Sequence, residues 1–425
     1  MHIAISESDA THMYSLVEKI INEVGPRMSC SPKELQGAYM IKSEFDLVCD
    51  EVALEKFYCS PRAFLGWTKI VVVIGIISIL LHFLTLFTLD YVTLLILSLL
   101  SFIIAISIVL VIWEEFFNYR EFIDRIYRKK KSQNVVGTFK SQGEVKNLII
   151  FSSHIDSALQ FNLLKWLRWG ALPLLFGALL VVIIWFFLSF IYFMIIISGF
   201  IFLKSIFIIP TFWLFLISLP CFTAVFFFVP LGDKGNVVPG AVDNLSSCAV
   251  VVGLARYLNK HRDIIPPNTE IRCISFGCEE CGLRGAFRYV EHHLNELKKY
   301  NSSVINMDGL ETPEGFLVID YEPTTRTKHS EEIVRKLIKA AEDVNVTAKK
   351  FGSGKLEKTV GKLSGGSDAA AFSKAQIKAG FINSADWKNR SSYYHQSTDT
   401  IDKIKKGTLE NALRICIAFI LNESK

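Results

Sequence analysis

Residues 147–160 read NLIIFSSHIDSALQ, and their reading decides the fold. LIIF is an unbroken apolar run of the kind found in a strand buried on both faces. The run ends in polar residues that present His154 and Asp156. Immediately afterwards, residues 161–230 carry charge only at Lys165, Arg168 and Lys204. A pair suited to holding a metal thus sits beside a tract long enough to enter a membrane, where one spanning helix takes ~20 mostly apolar residues.

The apolar excess of this 425-residue chain is uneven. It is concentrated in 63–89, 91–113 and 161–230, while 1–60 and 231–425 have ordinary soluble composition. The first block reads as a helical hairpin turning at Asp90, and the second as two long helices turning near Gly199–Lys204. WEEFFNYREFIDRIYRKKK, 113–131, is aromatic and basic, as expected of a helix lying at the membrane surface. The expected organisation is therefore an N-terminal part of a catalytic domain (1–62), a first transmembrane hairpin (63–113), the interfacial helix with strands and the first metal ligand (114–160), a second hairpin (161–230), and the rest of the catalytic domain (231–425). Four spans anchored in a lipid bilayer follow.

The cluster Arg125, Arg128, Lys129, Lys130 and Lys131 marks a cytoplasmic side. Nine cysteines, an odd number without framework spacing, fit reduced thiols there. The first residues lack the basic and apolar regions of a signal peptide. A net charge of +5 is too small to suggest nucleic acid as a partner. A near-absence of charge inside the apolar blocks makes a poor solute path, which argues against a transporter.

Outside those blocks, helices are expected over 8–29, 31–48 and 329–344, with a last helix faced by Leu409, Leu413, Ile417 and Ile420. EVALEKFYC (51–59), EIRCISF (270–276), SSVINM (302–307) and GFLVIDY (315–321) read as strands. NVVGTF (134–139) and NLIIFSSHID (147–156) read as a pair around the turn SQGEVK. A glycine-rich loop over 361–366 leads to a short helix. The alternation predicts an α/β fold with a mixed, mostly parallel sheet flanked by helices, interrupted by the two hairpins.

Five stretches place acids or histidines at strand ends: His154 and Asp156, Asp243 in GAVDN, Glu279 and Glu280 in FGCEECGLRG, Asp308 in NMDG, and His395 in YYHQSTDT. Ligands of open α/β sheets gather at the carboxyl ends of the strands. Two histidines with several carboxylates suit zinc or a similar divalent ion. Each stretch alone is weak, since an acid before a helix is usually a cap and a Glu-Glu pair usually a solvated face. Their ordered set carries the argument.

That set resembles the M28 family of metallopeptidases, the co-catalytic zinc aminopeptidases. INEVGPRMSCSPKELQGAYMIKSEF, GAVDNLSSCAVVVGLARYL, FGCEECGLRGAF, GGSDAAAF and YYHQSTDTIDKI are each similar to segments of that family. The resemblance implies a zinc-peptidase sheet and two divalent metal ions, most simply Zn2+. It implies that His154 and Asp308 hold one ion, Glu280 and His395 the other, and that Asp243 bridges both. It further implies that Glu279 is the general base and that Asp156 orients His154. Peptides would be the substrates; because the second apolar block begins a few residues after His154, hydrophobic or membrane-associated peptides are expected among them. Ala369 departs from the family, many members of which carry histidine there. Cys278 and Cys281 read as small buried thiols beside the glutamates, with redox sensitivity left open. A glutaminyl-cyclase-like acyltransferase with one zinc, and an inactive receptor or scaffold, are the alternatives. Because His154 and Asp243 must meet, each apolar block should cross the membrane an even number of times.

Overall fold

A computed structural model of the protein describes residues 1, 3–232, 235–352, 354, 365–386 and 390–424. Residues 361–364 of the expected glycine-rich loop lie outside these. The described chain forms two compact units, one made of Met1–Pro61, Arg128–Gln160 and Gly232–Lys425, the other of Arg62–Tyr127 and Phe161–Leu231.

The first unit contains the strands β1 (Glu51–Cys59), β2 (Lys130–Phe139), β3 (Asn147–His154), β4 (Thr269–Phe276), β5 (Asn301–Leu310), β6 (Phe316–Ile319), β7 (Tyr321–Glu322), β8 (Thr327–Lys328), β9 (Ala348–Phe351) and β10 (Lys378–Ser384). Eight of them form one mixed sheet in the order β1-β2-β4-β3-β5-β10-β6-β9. Its centre, β4-β3-β5-β10, is wholly parallel. These strands can be apolar along their length because helices cover both faces. Ile149 and Phe151 belong to one buried core, and Leu148 and Ile150 to the other, as the period-two alternation of a strand requires. The first core includes helices Glu7–Glu23, Ser246–Lys260, Glu331–Asp343 and Thr408–Glu423; the second includes Arg284–Lys299 and Ala369–Lys374. Helix starts follow their capping chemistry. Ser31 accepts the Glu34 N–H at 3.2 Å ahead of Pro32, and Ser330 caps Glu331–Asp343 in the same way.

Two local expectations are overturned. Strands β2 and β3 do not pair, because β4 lies between them, antiparallel to β2 and parallel to β3. Both are buried on both faces along most of their length, so each accepts neighbours on either edge, and a loop of residues 140–146 easily steps over one strand. The expected surface helix over 113–131 is not formed. The helical backbone ends at Phe117, a 3-10 turn follows at Asp124–Ile126, and Lys130 already begins β2. The buried carboxylate of Glu115 accepts the Ile123 N–H at 2.7 Å and folds the chain back on itself. Residues 114–127 accordingly fall in the second unit, not with the sheet.

The second unit holds four helices long and apolar enough to cross a membrane: Ala63–Phe87, Tyr91–Phe117, Asn162–Ile197 and Ile201–Phe226. Polar contacts join them internally. Trp185 Nε1 donates to Ser78 Oγ at 2.9 Å, Ser101 donates to the Ser78 carbonyl, and His82 Nε2 lies 3.0 Å from Thr211 Oγ1. Leu80, Leu84, Ile183 and Phe187 are exposed on the outer faces of these helices.

The end of β4 is packed against the start of helix Arg284–Lys299 through glycine. A Cβ on Gly285 would collide with the Gly277 carbonyl and come within 2.6 Å of Asn134 Oδ1, whose amide group bonds both glycines. Gly285→Ala is therefore expected to destabilise the protein by about 1–3 kcal/mol. Gly232→Ala, with no atom within 4 Å of its Cβ, should stay within about 0.5 kcal/mol. Thermal melts of the two variants side by side check the difference.

Candidate metal centre

The register of the parallel strands builds the centre. Ser152 of β3 is opposite Asn306 of β5, so two residues further along each strand His154 and Asp308 stand level. His154 is also opposite Phe276, the last residue of β4, after which the chain turns through Glu279 and Glu280. Asp243 lies just before helix Ser246–Lys260, and His395 lies in the segment after β10.

These side chains converge. His154 Nε2 is 3.2 Å from Asp243 Oδ1, 3.7 Å from Asp308 Oδ2 and 3.8 Å from Glu279 Oε2. His395 Nε2 is 3.3 Å from the other oxygen of Asp243, Oδ2, and 3.7 Å from Glu280 Oε1. One carboxylate thus faces two imidazoles, one with each oxygen. His154, Glu279 and Asp308 can place one ligand atom each around an ion, and so can His154, Asp243 and Glu280. His154 Nε2 and Glu280 Oε1 are buried and have no hydrogen-bond partner among the described residues. Orphaned buried groups of this kind call for a partner, and these donors suit a divalent cation of the zinc type.

Electrostatics point the same way. Burial pushes Glu279 and Glu280 well above the usual carboxylate range, and neighbouring negative charges push them further, against the pull of His154. Asp308 is raised by burial and by the charge of Asp243. Burial opposes charge on His154, but the nearby carboxylates of Glu279, Asp156, Asp243 and Asp308 outweigh that and lift its pKa well above that of free histidine. Burial would raise Asp243 too, yet its two histidines hold it far below the carboxylate range. The pocket holds more negative charge than its imidazoles can balance, which is the condition a bound cation relieves.

Asp156 does not face the centre but braces it. Its Oδ1 accepts the Glu279 N–H at 3.0 Å, and its Oδ2 accepts the Glu280 N–H at 3.1 Å and the Ser29 hydroxyl at 2.6 Å. Its backbone carbonyl lies 3.2 Å from His154 Nδ1, and Oδ1 lies 3.5 Å from the same nitrogen.

Three buried charged residues went unassigned in the sequence. Arg27, fully buried, donates to the carbonyls of Gly25, Ile155, Pro239 and Gly240, tying the strand end at His154 to the segment before Asp243. Asp399 accepts the N–H groups of Val242 and Asp243 at 2.8 and 3.2 Å, and burial, reinforced by Asp243, pushes its carboxyl up to about 8. Asp368 is buried with neither oxygen hydrogen-bonded among the described residues. Each lies in a stretch already singled out, GPR, STDT and GGSD, but Arg27 and Asp399 hold backbone groups, which leaves no periodicity or ligand spacing to read. Ala369, the departure from the family pattern, is packed in the second apolar core.

Asp156→Asn keeps the shape but points an amide N–H at N–H donors. It is expected to weaken metal binding ~10–100-fold, the usual effect of losing a group that orients a ligand histidine. Chelator competition monitored by bound metal measures it.

Comparison with known proteins places this geometry. Residues 229–420 match the sequence profile described as Peptidase family M28. The chain is 34% identical over 186 residues to aminopeptidase YwaD of Bacillus subtilis (strain 168), a match spanning 42% of this chain and 37% of that relative. Its fold is similar to that of a zinc aminopeptidase from Bacillus subtilis, with a TM-score of 0.53 and 16% identity over 97% of this chain and 95% of that one. It is equally similar to an Acidobacteriales bacterium glutaminyl cyclase, at TM-score 0.53 and 12% identity over 100% and 98% of the two chains. The matched segment contains Asp243, Glu279, Glu280, Asp308 and His395, while His154 and Asp156 come from outside it. Residues 229–420 are thus similar to peptidase family M28, and the strand that carries His154 comes from before the second apolar block, within the same compact unit.

Proposed function

We propose that the protein is a membrane-anchored, two-metal aminopeptidase. The observation that carries this reading is the carboxylate of Asp243 set between His154 and His395 at 3.2 and 3.3 Å. In this reading His154 and Asp308 hold one zinc, Glu280 and His395 the other, and Asp243 joins the two positions. Such ions, when bound, polarise the scissile carbonyl and lower the pKa of water. Glu279 takes the proton of the attacking water and delivers it to the leaving amine. Burial holds its carboxyl above the usual carboxylate range, and its backbone N–H bond to Asp156 fixes the start of the loop that carries it. Asp156 fixes the ring of His154.

The decisive assay offers purified full-length protein, with added zinc, a library of free and N-terminally blocked peptides. Release of single N-terminal residues that blocking abolishes is the expected result. Cyclisation of N-terminal glutamine without hydrolysis would instead support the glutaminyl-cyclase alternative, and inertness towards the whole library the scaffold.

Glu279 also stands close enough to His154 to be a ligand. Glu279→Gln separates the roles: turnover should fall at least ~10²-fold with both metals retained. Asp243→Ala should lose metal. Loss of metal from Glu279→Gln would make Glu279 a ligand.

The four apolar helices are proposed to span the bilayer as two hairpins, with the catalytic unit on the cytoplasmic side marked by Arg125 to Lys131. Both ends of the chain and residue 235 should then be labelled from one side, and positions near Asp90 and Lys204 from the other. Opposite labelling of the two ends would refute the hairpins. Anchoring gives access to peptides already held by the membrane at high local concentration, so hydrophobic peptides are the proposed substrates.

A further inference from the structure

Four of the nine cysteines, drawn from three distant parts of the chain, meet in one buried cluster. Cys30 lies in the turn before helix Pro32–Asp46, Cys59 ends β1, and Cys278 and Cys281 bracket Glu279-Glu280 after β4. Cys30 Sγ is 3.4 Å from both Cys59 Sγ and Cys278 Sγ, and Cys59 Sγ is 4.0 Å from Cys281 Sγ. All four are free thiols.

We infer that Cys30, Cys59, Cys278 and Cys281 form a metal site separate from the peptidase centre, suited to a single thiophilic divalent ion such as Zn2+. The sulfur separations carry the inference. Four sulfurs at ~2.3 Å from a tetrahedral zinc lie about 3.8 Å apart, and the three separations here bracket that edge. Cys30, Cys59 and Cys278 already place their sulfurs within 4.8 Å of one another, the spread of a ligand set. The spacing of Cys278 and Cys281, with two residues between, is that of a chelating loop.

The backbone is committed to this arrangement. Cys30 and Cys278 both have left-handed φ, 59° and 57°, a conformation unfavourable for a side chain. The Glu34 carboxylate accepts the N–H of each, at 2.8 and 2.9 Å, and Ser132 Oγ donates to it at 2.8 Å. That bracing orients two ligands from behind, as partners of ligands do at metal sites. Phe57 packs against the cluster and keeps it apolar, which suits sulfur donors. Thiols that bind the ion release their protons to solvent. An ion here would pin the loop that carries Glu279 and Glu280 to β1 and to the N-terminal turn.

Cobalt reports the site without reliance on activity. Full-length protein, reduced and stripped of metal in detergent, is titrated with Co2+ and read for near-ultraviolet sulfur-to-cobalt charge transfer. Wild-type protein and Asp243→Ala should both show the band, while Cys59→Ser and Cys30→Ser should lose it. Alkylation of the four thiols in native wild-type protein should slow at least ~10-fold when zinc is added, a readout independent of any variant's folding. Cobalt uptake without the band, a band that survives both serine variants, or alkylation unchanged by zinc would overturn the inference.

Discussion

Taking an unpaired carboxylate out of water costs several kcal/mol, and burying several together costs more because they repel. This protein gathers Asp156, Asp243, Glu279, Glu280, Asp308 and Asp368 at the carboxyl end of one sheet, wholly or largely buried. The histidines His154 and His395 stand among them. Such a crowd persists only if something balances it, and the surrounding structure is organised for that. Asp156 turns its charge onto N–H donors. Asp243 turns its charge onto the imidazoles. What is left over, at Glu280, Asp308 and Glu279, faces the space where divalent ions fit.

Holding that balance is mainly a backbone task. Arg27 spends its guanidinium on four carbonyls from three segments, and Asp399 fixes the amides at Val242 and Asp243. The segments they hold are separated in sequence by the second apolar block, residues 161–230. The sheet-bearing unit is thus interrupted while His154 and Asp243 still meet, because strand register and these buried charges locate His154 independently of what lies between the two.

The parts legible in the sequence were those governed by local chemistry. Apolar runs bounded by polar residues marked β3, β4 and β5, and apolar periodicity marked the last helix. Acids and histidines at strand ends marked His154, Asp243, Glu279, Glu280, Asp308 and His395, which the fold brings together, but not Asp368. Strand neighbours were not legible. β2 and β3 look like a hairpin because they are close in sequence, whereas only the completed sheet shows β4 between them. Nor was the break after Phe117, which depends on Glu115 turning its carboxylate back to Ile123. Aromatic and basic composition suggests an environment, not a backbone conformation. Arg27 and Asp399 escaped assignment for a related reason, since their partners are backbone atoms remote in sequence.

The central claim is that two cations sit on either side of Asp243. Anomalous X-ray scattering at the zinc edge from crystals of the full-length protein tests it most directly. Two peaks ~3.5–4 Å apart are expected, one next to His154 and Asp308, the other next to Glu280 and His395. A single peak in this pocket at full zinc saturation, or none, would contradict it.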